Sequence, residues 1–246
     1  MERNIKLVLA YEGTNYYGWQ RQAGLITVQQ VLEESIGKVT QEIIHVIGSG
    51  RTDTGVHAKG QVANFKTKSA IEGRNLLSGI NSIVPRDIVV KEALDIDEVF
   101  HARLHAKSKV YLYRICNQRI RSVFERNYSW LVAAPLDIAK MEAAALFFKG
   151  MHDFTSFCAA HNDAPDHVRT VIDISVRRAE DGFIEIEVEA DGFLRYMVRN
   201  IVGTLVDVGA GKYLPADIVK IMEAKDRRRA GVKAPAHGLF LEEVKY

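Results

Sequence analysis

Several features that mark particular classes of protein are scarce or missing in this sequence of 246 residues. It contains two cysteines, Cys116 and Cys158, which are too few for a disulfide framework. It has no apolar run of about 18 residues, and its first residues lack the apolar segment of a secretory signal. We therefore expect a cytoplasmic protein with reduced thiols and no membrane segment.

A large excess of charge of one sign is also missing. The sequence has 33 Lys and Arg against 31 Asp and Glu, a net charge of +2. Any contact with nucleic acid must therefore come from a local cluster of basic side chains rather than from overall charge. The composition, 47% hydrophobic and 26% charged, is that of an ordinary globular protein, and the length suffices for one large or two small domains.

The most distinctive stretch is residues 48–58, GSGRTDTGVHA. Its three glycines permit positive φ or close approach of another segment, and its threonines can bond locally, so the loop can hold Asp53 in one direction. Arg51 would lower the pKa of that carboxyl from its ordinary value of about 3.9 and keep it ionised. An ionised carboxylate can act as a nucleophile or a base. The same composition is typical of a plain turn with a capping aspartate.

Two other kinds of site do not match this loop. It lacks the Gly-Lys-Ser/Thr of a phosphate-binding loop and the G-x-G-x-x-G of a dinucleotide site. Asp53 and His57 have no third metal ligand nearby in the sequence, so we expect no metal.

The first hundred residues predict an α+β arrangement. Alternating hydrophobicity from Ile5 to Tyr11 indicates a strand, and Thr27 begins a capping box and an amphipathic helix. A strand over 61–66, a helix over 74–83 and a strand over 88–93 follow. This order favours a sheet backed by helices. The aromatic residues between the first strand and helix are interpreted chiefly as core cover.

Alternation resumes at Lys107, which suggests a boundary near residues 103–108 and two domains, 1–105 and 106–246. Arg195 and Arg199 would lie one turn apart on a helix of the second domain. The elements predicted after the first strand of that domain are a helix capped by Asp137, a hairpin of strands 170–177 and 183–190, a helix over 194–205, a helix from Pro215 and a strand over 239–241.

Basic residues and one tyrosine form a second group of candidates. Charge runs are usually solvated faces, and Tyr111 in an alternating strand is ordinarily a core residue. Together they could also bind nucleic acid, with Tyr111 as a stacking platform. The basic candidates are Lys107, Lys109, Arg114, Arg119, Arg121, Arg195, Arg199 and Arg227 to Arg229.

Seven segments, taken in order, span nearly the whole chain: YEGTNYYGWQ (11–20), GRTDTGVHA (50–58), FHAR (100–103), KVYLY (109–113), HDFTSF (152–157), FLRYMVRNIVG (193–203) and APAHGL (234–239). With these segments the sequence resembles the TruA-type tRNA pseudouridine synthases. The resemblance implies isomerisation of uridine at nucleotides 38 to 40 of the tRNA anticodon stem-loop, without cofactor or metal, by a homodimer. It also implies two similar α+β units, each with a mainly antiparallel sheet backed by helices, and a catalytic cleft between them.

The resemblance also implies roles for individual residues. Asp53 would be the nucleophile or base, and Arg199 would pair with it and keep it charged. Tyr111 would stack on the flipped uracil, and Leu239 would form the apolar wall of its pocket. The residues implied in RNA binding are Arg51, Lys109 and Arg195, and those implied in holding the loop are Thr54 and His57.

Two other functions fit some of the same residues. A non-catalytic RNA-binding module would use the basic residues and Tyr111 but would need no aspartate and arginine pair. A hydrolase would use Asp53 as a nucleophile on a small substrate, and tRNA would then be irrelevant.

Overall fold

The computed structural model describes residues 2–160 and 165–246. The chain forms two compact units: one runs to Lys107 and also contains Leu241–Tyr246, and the other is Ser108–Phe240. The last six residues therefore pack with the first unit, whereas the sequence-based division kept them in the second domain.

The first unit holds four strands and two helices from the N-terminal part of the chain. Strand β1 lies between β4 and β3 and is antiparallel to both, and the short β2 pairs with β3. The elements are β1 (Arg3–Tyr11), α1 (Val28–Thr40), β2 (Ile47–Gly48), β3 (His57–Thr67), α2 (Gly73–Ile83) and β4 (Ile88–Ile96).

Burial in the first unit follows the sequence pattern. Ile5, Leu7 and Leu9 of β1 have no exposed surface, and the helices contribute fully buried residues such as Leu32 and Ile80 to the core. Such burial removes apolar surface from water, which is the main force that holds the sheet and helices together. The predicted cap of α1 is also present, because the hydroxyl of Thr27 accepts a hydrogen bond from Gln30 N at 3.4 Å.

The second unit contains a four-stranded antiparallel sheet in the order β5, β9, β8, β7, with β6 parallel to β5. Its strands are β5 (Ser108–Cys116), β6 (Trp130–Leu131), β7 (Gly150–Asp153), β8 (Val168–Arg178) and β9 (Ile184–Ala190). Its helices are α3 (Ile138–Ala145), α4 (Met197–Gly209) and α5 (Asp217–Glu223). A last strand, β10 (Leu239–Lys245), runs from the end of this unit into the first unit.

Each unit therefore combines a mostly antiparallel sheet with helices, and the predicted α+β class is confirmed. The predicted hairpin is present as β8 and β9. Both cysteines are buried and free of disulfide bonds. Within residues 2–160 and 165–246, the helices are too short or too polar to cross a membrane.

Two predicted starts are wrong by three or four residues, and β4, α4 and β10 end three or four residues beyond their predicted ends. The helix expected over 194–205 begins only at Met197, because Tyr196 has a left-handed backbone (φ 67°) that a right-handed helix cannot include. Leu194 and Arg195 therefore lie outside the helix. The strand expected from Gln61 begins four residues earlier, at His57. Its first residues were missed because the pairing with β1 shifts register between Leu9 and Tyr11, which breaks the alternation of the sequence there.

Candidate active site

The loop that carries Asp53 connects β2 to β3. The start of the loop is fixed where β2 pairs with β3, with Gly48 opposite Ala63, and its end is fixed where β3 pairs with β1, with Ala58 opposite Tyr11. Asp53 is half-buried, and its carbonyl accepts a hydrogen bond from Val56 N at 3.1 Å. Gly55 closes this turn with φ +77°, a backbone conformation that residues with a Cβ rarely adopt.

Buried polar groups hold the loop from the side of the sheet. The hydroxyls of Tyr11 and Thr52 share a hydrogen bond of 2.8 Å. Gln61 has no exposed surface; its Oε1 accepts from Ser49 Oγ at 2.7 Å and its Nε2 donates to Gly50 O at 3.0 Å. Burial raises the pKa of Tyr11 to about 12, from an ordinary value of about 10. The residues just before Asp53 are thus tied to two strands.

The segment between β1 and α1 holds the loop from a second side. Trp19 N donates to Thr52 O at 3.1 Å, and Gly55 N donates to Tyr16 O at 3.4 Å. A Cβ on Gly18, which has φ +82°, would lie 2.5 Å from Thr52 O, so only glycine permits this approach. Tyr16 and Trp19 are buried, as expected for core cover, whereas Tyr17 is half exposed.

The two residues implied in holding the loop, His57 and Thr54, differ from each other in burial. His57 is buried at the start of β3, and its Nδ1 accepts a hydrogen bond from Gly13 N at 3.0 Å. Thr54 is exposed. The threonine of the loop with a buried hydroxyl bond is instead Thr52, whose partner Tyr11 had no assigned role. Tyr11 belongs to one of the family motifs, residues 11–20, but nothing in that motif predicted its contact with Thr52.

Arg51 lies on the surface of the same loop. Its Nε donates to Gln20 Oε1 at 3.2 Å, and Gln20 Nε2 donates to Gln29 Oε1 at 2.9 Å. Gln29 in turn donates to the buried carboxylate of Glu33 at 3.1 Å. This chain of side chains connects the arginine to helix α1 and restricts its orientation.

In the second unit, Arg199 lies in the first turn of α4 and is 8% exposed. Its Nε donates to Ala234 O at 2.7 Å, and Ala234 N donates to Arg199 O at 3.0 Å. The segment before Ala234 can approach the helix because Gly203 has no side chain: a Cβ there would lie 1.6 Å from Val232 O. The guanidinium group is therefore held by the backbone.

Tyr111 is on β5 and is 6% exposed. Phe193 meets its ring edge-on at a centroid distance of 4.9 Å. Leu239, 5% exposed, begins β10. The segment before it is fixed by Tyr113, whose hydroxyl donates to Pro235 O at 2.9 Å and whose pKa is raised by burial. Sequence patterns gave no sign of the contact between Tyr111 and Phe193.

The predicted basic surface is smaller than its sequence suggests. Arg114 is surrounded by three carboxylates, forming ion pairs with Glu125 at 2.8 Å, with Glu185 at 3.5 Å and with Asp181. Its side chain is half-buried, with 18% exposed, and its charge is balanced by these carboxylates, so it is not part of an exposed basic cluster. Of the residues implied in RNA binding, Arg51 and Arg195 are exposed and Lys109 is half-buried.

The chemistry available in the first unit is that of a carboxylate on a fixed backbone. Asp53 can act as a nucleophile or a base, in the direction set by the bonds on both sides of it. No group of three or more His, Cys, Asp or Glu side chains in the described parts of the chain is placed to hold a metal ion.

Comparisons with known proteins agree with one another. The family model described as tRNA pseudouridine synthase matches residues 7–104 and 144–246. A protein of Thermoanaerobacter pseudethanolicus named tRNA pseudouridine synthase A is 48% identical over 244 residues, 99% of this chain and all of that protein. The protein of the same name from Acetivibrio thermocellus is 47% identical over 244 residues with the same coverage. A Clostridium tetani protein named tRNA pseudouridine synthase A 2 is 42% identical over 248 residues and matches both chains in full.

One solved structure, a Cbf5-Nop10-Gar1 complex, contains a chain that aligns with 82% of this chain and 54% of its own length, at 12% identity and a TM-score of 0.33. That likeness is too distant to bear on the fold. The sequence matches, in contrast, cover at least 99% of this chain, and the family model includes the loop of Asp53. The chain belongs to the tRNA pseudouridine synthase family.

Proposed function

We propose that this protein isomerises uridine at nucleotides 38 to 40 in the anticodon stem-loop of tRNA, with Asp53 as the reacting carboxylate. Its family membership makes it a tRNA pseudouridine synthase, an isomerase. The observation that carries the assignment to Asp53 is the way its loop is held. Trp19 and Gln61 donate hydrogen bonds to the backbone before the aspartate, and Tyr11 shares one with the Thr52 hydroxyl, which leaves the carboxylate on a rigid support.

The reaction needs no net addition or loss of atoms. The bond from N1 of uracil to C1′ of ribose breaks, a bond from C5 to C1′ forms, the proton on C5 leaves, and N1 takes up a proton. Asp53 would attack the sugar or the base, or would remove a sugar proton. Each of these routes requires an ionised carboxylate in a fixed position.

The uracil must leave the stacked helix before its glycosidic bond can react, and unstacking costs a few kcal/mol. Arg51, on the surface of the loop, would fill the space that the base vacates. Its attachment to Gln20 supports this role because it restricts the side chain before RNA binds. The flipped base would stack on Tyr111, whose ring is braced by Phe193, and Leu239 would form the apolar wall.

Arg199 would pair with Asp53 in the active complex and keep the carboxylate charged. The bond from its Nε to Ala234 supports this role, since a fixed guanidinium loses little freedom when it binds a carboxylate. Lys109 and Arg195 would contact the phosphates of the tRNA. We further propose that the protein acts in the cytoplasm as a homodimer.

The test is to incubate purified protein with an unmodified tRNA transcript, a chelator and no added cofactor, and to map pseudouridine by carbodiimide-stop primer extension. We expect stops in the anticodon arm with the wild-type protein and with Asp95→Asn, a change to an exposed carboxylate that pairs with Arg3. The stops should vanish with Asp53→Asn. Tight binding without stops on several tRNAs would contradict the proposal and favour an RNA-binding module.

A further inference from the structure

Tyr196 has the least expected backbone conformation near the candidate site. Its φ of 67° and ψ of 3° lie in the left-handed region, where a bulky residue is a true outlier. The other two described non-glycine residues with positive φ, Gln41 and Lys225, come just after helices, where such a residue commonly ends the helix. Tyr196 instead precedes a helix, and strain of this kind persists only where the surroundings impose it.

Three positive charges surround the ring of Tyr196. The Nζ of Lys233 lies 4.1 Å from the ring centroid, and the Cζ atoms of Arg195 and Arg199 lie 4.9 and 5.3 Å away. All three distances are within the range of cation–π attraction. The negative face of the ring offsets part of the repulsion among the cations. Arg195 also donates from Nη2 to the Tyr196 hydroxyl at 3.0 Å.

The left-handed conformation sets this geometry. Because it delays the start of α4 to Met197, Arg195 leaves the helix while Arg199 stays in its first turn. In a continuous helix the two arginines would be four residues apart on one face, where like charges repel. The carbonyl of Tyr196 still accepts a hydrogen bond from Asn200 N at 2.9 Å, so the backbone that carries the ring is joined directly to the turn that carries Arg199.

We propose that Tyr196 is a positioning residue for Arg199. The Ala234 carbonyl fixes Nε of the guanidinium group by a hydrogen bond, and the Tyr196 ring holds the rest of that group beside it by cation–π attraction. This role rests on the proposed function, in which Arg199 pairs with Asp53. Tyr196 itself contacts neither the uracil nor the reacting carboxylate in this account.

The test compares two variants and a control in single-turnover assays at saturating protein. Tyr196→Phe keeps the ring, and Tyr196→Asn removes it but tolerates the left-handed backbone. The control is Tyr213→Asn, which removes a half-buried ring that also carries a lysine, Lys212, at 5.1 Å. We expect Tyr196→Asn to lower the single-turnover rate about tenfold or more. Tyr196→Phe should stay within about threefold of wild type, and Tyr213→Asn should have the wild-type rate.

A double-mutant cycle separates positioning from general damage. Arg199→Lys keeps the charge but loses the planar guanidinium that the ring orients. In that background, Tyr196→Asn should reduce the rate by about twofold at most, since the group that the ring positions is already absent. Melting temperatures of Tyr196→Asn and Tyr213→Asn should agree within a few degrees.

Three results would overturn the inference. If the wild type is active and Tyr196→Asn keeps the wild-type rate, the positioning role of Tyr196 is rejected and the proposed function is not affected. An equal loss from Tyr196→Asn in the wild-type and Arg199→Lys backgrounds would also reject that role, because the ring would then act independently of the arginine. A wild-type protein that forms no pseudouridine on any tRNA would overturn the proposed function, and the role of Tyr196 with it.

Discussion

The hydroxyl of Tyr11 and that of Thr52 form a buried hydrogen bond of 2.8 Å, which joins strand β1 to the residue immediately before the candidate catalytic aspartate. The two residues are 41 positions apart in the chain. Both residues are buried, with 4% and 7% of their surface exposed, so this bond largely takes the place of hydrogen bonds to water. The position of Asp53 is thus coupled to the core of the first unit.

Replacing Tyr11 with Phe should destabilise both the fold and the loop. The change leaves the Thr52 hydroxyl without this bond, and we expect the free energy of unfolding to fall by about 1–3 kcal/mol. Urea denaturation measures this loss. Thr52→Val should have a similar effect, and the double variant should lose less than the sum of the two. Strict additivity would show that the bond contributes no coupling.

The same tyrosine predicts a dependence of stability on alkaline pH. Burial raises the pKa of Tyr11 to about 12, from about 10 when unfolded. A raised pKa in the folded state stabilises the protein fully below pH 10, and this contribution is lost as the pH rises toward about 12. The stability advantage of wild type over Tyr11→Phe should therefore shrink by about 2–3 kcal/mol across that range. Parallel curves of unfolding free energy against pH would contradict the assignment.

Gly18 and Gly24 provide a matched pair for testing the contact with the loop. Both have positive φ, +82° and +75°, so alanine at either position should cost about 1–2 kcal/mol in backbone strain. A Cβ at Gly24 meets nothing within 4 Å, whereas one at Gly18 would lie 2.5 Å from Thr52 O. Gly18→Ala should therefore also reduce the rate of pseudouridine formation, and Gly24→Ala should not. Equal rates in the two variants would show that this contact does not position the loop.

Replacing the buried Gln61 should destabilise the protein and the loop that it holds. Gln61→Leu leaves Ser49 Oγ and Gly50 O without their partner, and each buried group left unpaired costs about 1–3 kcal/mol. We expect a loss of unfolding free energy in that range or above it, together with slower catalysis. Gln30→Leu, at a half-buried glutamine of α1 whose side chain donates to Glu34 at the surface, should change the unfolding free energy by less than about 0.5 kcal/mol. Similar losses in both variants would contradict the role of Gln61.

Local patterns were sufficient for most of the fold. The alternation of β1, the cap at Thr27 and the turn between β8 and β9 depend on neighbours in the sequence, so their positions could be predicted. The start of α4 could not be predicted. The spacing from Leu194 onward is helical, but the contacts of Tyr196 with Arg195 and Lys233 accompany a backbone conformation that no propensity favours.

The candidate site shows the same division. Asp53 and Arg51 stand out because glycine and threonine surround them, and family motifs carry the rest of the assignments. The residues that hold the loop were missed because their bonds join distant positions: Tyr11 to Thr52, and Gln61 to Gly50. In the sequence, Tyr11 is one more residue of an alternating strand and Gln61 is a polar residue at the start of another.

The most direct test of the account is the release of tritium from tRNA labelled at C5 of uridine, because each isomerisation frees that hydrogen to water. Wild-type protein should release tritium without added cofactor, and Asp53→Asn should release none above the blank while it keeps the wild-type melting temperature and tRNA affinity. Release by Asp53→Asn at the wild-type rate would contradict the central claim, because the carboxylate that the loop holds would then take no part in the reaction.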